Sequence, residues 1–240
     1  MNDFDKDQVL QWYTQLEEEL LSIFKYVPPA KQNLAAFSPS LANVIIESCG
    51  LLDSILRQIS PDPALVDGIS KPRKDLDITD YAKLYAAKLG LPVAKSIVMI
   101  TPAHYLSPFN AWIDLSAGGN YRPTTWWRTH TELKHDRIAN LKSARLEVAI
   151  ESLCGLHLMI ATLPEFARAV LRGGWVLGKK TSPQYTIEIL EGSGSDSLLV
   201  ESKLFAVARG IETFPDQIND FHPSLFNASE RVIDFFGRSY

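Results

Sequence analysis

The chain has 240 residues, 46% hydrophobic and 22% charged, with a formal net charge of −4 and a sequence pI of about 5.8. This composition gives a globular protein with one sizeable core or two small ones. It excludes a strongly basic nucleic-acid protein, but not a local basic patch on an acidic chain.

"DKDQVLQWYTQLEEELLSIFKYV" carries Val9, Leu10, Tyr13, Leu16, Leu20 and Ile23 at helical spacing and predicts a first helix, stopped by Pro28-Pro29. In "FSPSLANVIIESCGLLDSILRQIS", Ser38 is a capping residue and Pro39 suits the first helical position. Leu41, Val44, Ile45, Leu52, Ile55, Leu56 and Ile59 form the apolar face of this second helix, with Glu47 and Asp53 flanking it on opposite sides. Residues 60–75 read as a loop. "DITDYAKLYAAKLG" predicts a third helix closed by Gly90, and "SIVMITP" a strand or extended segment.

From Thr125 the periodicity predicts one long helix reaching about Leu163, with Leu133, Ile138, Leu141, Val148, Leu153, Leu156 and Met159 in the core. "PEFARAVLRG" follows as another helix. "YTIEILEGSGSDSLLVESKLFAV" alternates on both sides of "GSGSDS" and predicts a hairpin, and "PSLFNASERVIDFFGRSY" a last helix. The expected fold is mainly α: a helical bundle over 1–172, with a small β-hairpin accessory and a helix over 173–240 packed on it. There is no internal repeat.

Several motifs lead nowhere. "GGWVLGKK" has Lys180 where a phosphate-binding loop needs Ser or Thr, and it follows a predicted helix instead of a strand, so a helix end and turn is the better account. Cys49 and Cys154 lie in predicted helices as small core residues and supply neither a disulfide framework nor a zinc site. His130 and His135 are five apart, about 140° around a helix, and cannot share a metal from one face. No metal and no cofactor are expected. No apolar run reaches the roughly 18 residues of a membrane span, and the cytoplasm is the expected compartment.

The concentration of chemistry is "TTWWRTHTELKHDRIANL", residues 124–141. Residues 126–145 hold Arg128, Lys134, Arg137, Lys142 and Arg145 against Glu132 and Asp136. On a helix Arg128 and His135 differ by only about 20° in direction and roughly 10 Å in height, with Thr131 and Glu132 between them. Histidine transfers protons near neutral pH, and arginine holds phosphate through paired hydrogen bonds. Lys134 and Arg137 add positive potential. Trp126 and Trp127 either pack in the core or offer a stacking surface to a base.

"WWRTHTELKHDR" resembles the W-W-x-x-Y-N-x-x-K-H-x-R signature of a group of bacterial helical proteins. "FSPSLANVIIESCGLLDSI" resembles their early helix, and "PFNAW" their Pro-Phe-x-x-Trp loop. That group is similar to the HEPN superfamily of α-helical bundles, many of them metal-independent ribonucleases with an Arg, four to six residues, then His. Arg128 and His135 fit with six between, and Thr129 is the polar residue after Arg. His130 and Thr131 stand where the group has Tyr-Asn, and Arg128 lies two residues early, which leaves Arg137 or Lys134 as alternative partners of His135. The resemblance spans roughly residues 35–165.

It implies RNA cleavage through a cyclic phosphate by a toxin or phage-defence effector, with an antitoxin or defence protein as a possible partner. His135 would be the proton-transfer residue and Arg128 the phosphate clamp. Lys134, Arg137, His130 and Trp126 would bind RNA, with Glu47, Asp53 and Thr131 in support. A homodimer is expected, because one chain offers one well-placed histidine. The alternative is a non-catalytic interaction or nucleotide-binding module of the same fold.

Overall fold

A computed structural model describes residues 5–61, 71–100, 104–177, 182–194 and 196–210. The helix expected over 223–240, much of the 60–75 loop and Lys179-Lys180 lie outside these residues. The helices are α1 (Lys6–Phe24), α2 (Pro39–Ile59), α3 (Ile78–Tyr85), α4 (Ile113–Ser116), α5 (Thr125–His135), α6 (Leu146–Thr162), α7 (Ala167–Arg172) and α8 (Pro183–Glu191). The strands are β1 (Ser96–Val98), β2 (His104–Leu106), β3 (Val176–Leu177), β4 (Ser197–Glu201) and β5 (Phe205–Gly210). The fold is mainly α, as composition and periodicity predict.

The described residues divide into two compact units. One comprises 22–94 and 108–156, and the other 5–21, 95–107 and 157 onward. The division does not follow the boundary after residue 172: α1 and the β1–β2 segment group with the C-terminal part of the chain.

In the first unit, Ser38 caps α2 by accepting the Leu41 N–H at 3.1 Å, with Pro39 just inside. Leu41, Val44, Ile45, Leu52, Ile55 and Leu56 are buried, as their spacing requires. α2 is long and apolar enough to cross a membrane by length and composition, but more than half of that stretch is buried within the protein. α3 begins with a reciprocal capping box between Asp77 and Asp80, and the chain turns at Gly90 in the left-handed region (φ 62°). The "PFNAW" loop sends Phe109 and Trp112 fully inside.

The long helix expected from Thr125 to Leu163 is two helices. α5 stops at His135, because Asp136 turns to extended backbone (φ −149°, ψ 94°). The side chain of Asp136 accepts the N–H groups of Ile138 (3.1 Å) and Ala139 (2.9 Å). Asn140 donates its amide to the carbonyls of Glu132 (3.0 Å) and Asp136 (2.9 Å). Asp136 thus satisfies N–H groups that a continuing helix would pair internally, while Asn140 adds a second donor to carbonyls that already accept backbone N–H groups, so the break needs neither Gly nor Pro. Ile138, expected in the core, is 92% exposed. α6 starts where Leu146 and Glu147 donate to the carbonyls of Ala36 and Leu34 at 2.8 and 3.1 Å. The longest described helix is α2, not the one bearing His135.

In the second unit, all five strands form one antiparallel sheet in the order β2-β1-β5-β4-β3. Ile97, Tyr105, Leu199 and Ala206 pack together on it. The hairpin expected around "GSGSDS" is displaced. "PQYTIEILE" is α8, capped by Ser182, with Pro183 at its start and Gly192 left-handed (φ 85°) at its end. The hairpin is β4–β5, turning at 202–204. The carboxylate of Glu17 on α1 accepts from the Tyr13 hydroxyl (2.9 Å) and from the backbone of Lys203 (3.1 Å) and Leu204 (2.9 Å).

Candidate nucleic-acid interface on α5

α5 belongs wholly to the first unit. Thr124 caps it, its hydroxyl accepting the Trp127 N–H at 3.4 Å. The inner face buries Trp126, Trp127, Thr129, His130 and Leu133. The outer face carries Thr125, Arg128, Glu132 and His135 in one stripe.

The tryptophans do structural work. Trp126 is fully buried and donates its indole N–H to the Pro108 carbonyl at 2.8 Å. Its ring packs edge-on against Phe109 at 5.5 Å and Trp127 at 5.8 Å. A Cβ on Gly155 of α6 would lie 3.2 Å from it, tighter than an ordinary contact. The RNA-stacking role expected of Trp126 is therefore unavailable: no face of the ring is exposed.

His130 is also turned inward, edge-on to Trp127 at 5.1 Å, with no partner for Nδ1 among the described residues. Burial pushes its pKa down to about 4, helped by the Lys134 charge and opposed by Asp53. It is neutral at neutral pH and does not supply the phosphate contact expected of it. The outward His135 and the inward His130 fit their separation around the helix.

His135 is exposed at the last turn of α5, beside exposed Lys134. Arg137 donates to Asn43 Oδ1 of α2 at 3.2 Å, and Glu47 lies one turn along α2 from Asn43, exposed. Asp53 is occupied by an ion pair with Arg57 at 2.8 Å, so it holds no group at His135. Thr131 donates its hydroxyl back to the Trp127 carbonyl at 3.1 Å, an intrahelical contact.

Arg128 is exposed, with no hydrogen-bond or ion-pair partner among the described residues. It faces an open groove of about 440 Å³. The other cations lining that groove are Lys142 and Arg145, with Glu132 the one carboxylate. Thr125, Thr129 and Ser143 complete it. Arg145 pairs with Glu147 at 2.9 Å, while Lys142 has no partner among the described residues. The break after His135 makes this groove. On a continuous helix Lys142 would stand roughly 21 Å along the axis from Arg128. Sequence reasoning counted Lys142 and Arg145 among the local cations but did not bring them to Arg128, and it missed Thr129 and Ser143 as groove residues. The signal that could have found them is the Asp136–Asn140 pair that stops the helix.

Among the described residues, no group of three or more His, Cys, Asp or Glu side chains is arranged to hold a metal ion. No protein-family model, curated protein or solved structure matches this chain.

Proposed function

We propose that the chain is a metal-independent RNA endonuclease of HEPN type, acting in the cytoplasm as a toxin or defence effector. The observation that carries this reading is the outer stripe of α5. An exposed imidazole, His135, shares it with Arg128, which has no partner among the described residues, and has Lys134 and Arg137 as sequence neighbours. An imidazole moves protons near neutral pH, and cations stabilise charge developing on phosphate.

The ribose 2′-hydroxyl attacks the adjacent phosphorus and loses its proton. The bond from phosphorus to the 5′-oxygen breaks, that oxygen takes a proton, and the products are a 2′,3′-cyclic phosphate and a 5′-hydroxyl. His135 carries one of these two transfers. The second belongs to His135 of another copy, which makes the active unit a homodimer. His130 cannot serve, being buried and neutral. An antitoxin or defence protein would be the regulating partner.

The test is purified protein with a labelled RNA in EDTA, followed by end-group analysis. Cyclic-phosphate ends that vanish in His135→Ala support the reading, and intact RNA defeats it. A second reading, non-catalytic RNA binding, is favoured by the groove, which gathers cations but not His135. RNA retention without products would establish it.

A further inference from the structure

We infer that the groove between Arg128, Lys142 and Arg145 is an anchoring subsite for an RNA backbone phosphate other than the one cleaved, holding a strand of several nucleotides across α5. The inference rests on the reading of the chain as an RNA-binding protein, and it assigns Arg128 to the anchor instead of the scissile bond.

Every residue of the lining is polar or charged, with three cations against one carboxylate, on a chain whose net charge is −4. Two of those cations, Arg128 and Lys142, have no partner among the described residues, so their charge is available to a ligand. Thr129 is only 5% exposed, lines the groove and has no partner for its hydroxyl among the described residues. The hydroxyl itself is not sealed from solvent but opens onto the groove, where it can donate. A phosphate oxygen would accept from it and from the guanidinium together.

Glu132 selects among anions. A carboxylate in the groove accepts hydrogen bonds and donates none. The side chains of an acidic peptide bring more carboxylates to it. RNA brings 2′-hydroxyls and base amino groups, which donate. The open shape suits a strand that passes through.

The geometry separates this subsite from the chemistry. Arg128 and His135 lie on one stripe but about 10 Å apart along the axis, more than one internucleotide step. A phosphate held by Arg128 and Lys142 therefore belongs to a neighbouring nucleotide of the strand presented to His135.

The experiment measures binding of a fluorescent twelve-nucleotide RNA, in EDTA, to protein carrying His135→Ala, across a salt series. Adding Arg128→Ala and Lys142→Ala is expected to weaken binding and lower the slope of log affinity against log salt by about 0.7, the value for one lost phosphate contact on a single strand. Lys142→Glu alone should weaken binding further than Lys142→Ala, which keeps the test open if the double variant folds poorly. An unchanged slope overturns the inference. So does a polyglutamate peptide that competes as strongly as unlabelled RNA, because the groove would then be a protein-docking surface. The two readings fail separately. Wild-type protein that cleaves nothing while the slope falls leaves the anchor standing and defeats the nuclease. Cleavage by wild type with an unchanged slope does the reverse.

Discussion

The indole N–H of Trp126 donates to the carbonyl of Pro108 at 2.8 Å, tying the first turn of α5 to the loop that buries Phe109 and Trp112. The two residues are 18 apart in sequence, and their bond sets where α5 begins relative to the aromatic core. Trp126→Phe keeps an aromatic ring but leaves the Pro108 carbonyl unpaired, and should cost about 1–3 kcal/mol. Trp126→Ala should cost about 3–5 kcal/mol. Urea denaturation of both variants measures this. A stability change near zero with RNA affinity lost would show a ligand-facing ring instead.

His135→Ala should leave unfolding free energy within about 0.5 kcal/mol of wild type, as expected for an exposed side chain with no partner among the described residues. RNA cleavage should disappear. Loss of several kcal/mol would reveal a structural residue.

Glu17→Ala removes the shared acceptor of the Tyr13 hydroxyl and of the N–H groups of Lys203 and Leu204, leaving Ser202 Oγ to Tyr13 (3.1 Å) and Leu204 (3.4 Å). It should cost about 3 kcal/mol and loosen the β4–β5 turn. Hydrogen exchange at Lys203 and Leu204 reads this directly. Protection equal to wild type would show that the turn holds itself.

Two buried rings set the acid limit. His157 is fully buried, stacked on Trp175 at 5.2 Å and near Tyr13 and Phe205, with neither ring nitrogen partnered among the described residues. Burial pushes its pKa down to about 3, and that of His130 to about 4, from 6.5. The unfolded chain therefore binds more protons than the folded one once pH drops below about 6.5. Stability is full above that pH and is lost as pH falls towards 4 and 3, by about 1.4 kcal/mol per pH unit for each ring. His157→Phe removes one of these terms and should move the acid-unfolding midpoint to lower pH. A midpoint that stays put would show that His157 is not a source of the acid loss.

Much of the fold was legible where one signal dominated. Ser38-Pro39 announced α2, and the periodicity of Val9 to Leu20 announced α1. Two errors share one cause: local side-chain chemistry overruled a periodic pattern. Asp136 and Asn140 end α5 inside a run that reads as helix. Ser182, Pro183 and Gly192 start and stop α8 inside a run that reads equally well as strand. At the candidate site the outward His135 and Arg128 and the core role of Trp127 could be read from helical phase. The groove could not, because it depends on the chain reversing after residue 136. The burial of His130 follows from phase too, but only once α5 is known to pack against a partner on that side.

Glu17 and Leu204 are 187 residues apart in sequence. On a ribosome adding about 5–20 residues per second, α1 emerges roughly 10–40 s before its carboxylate can meet the turn that completes it. Until His157 and Trp175 follow, Tyr13 lacks its ring neighbours, while the segments from 22 to 156 can already be closing on one another. α1 thus waits on segments made long after it, so its apolar residues stay open to a holdase while the first unit folds.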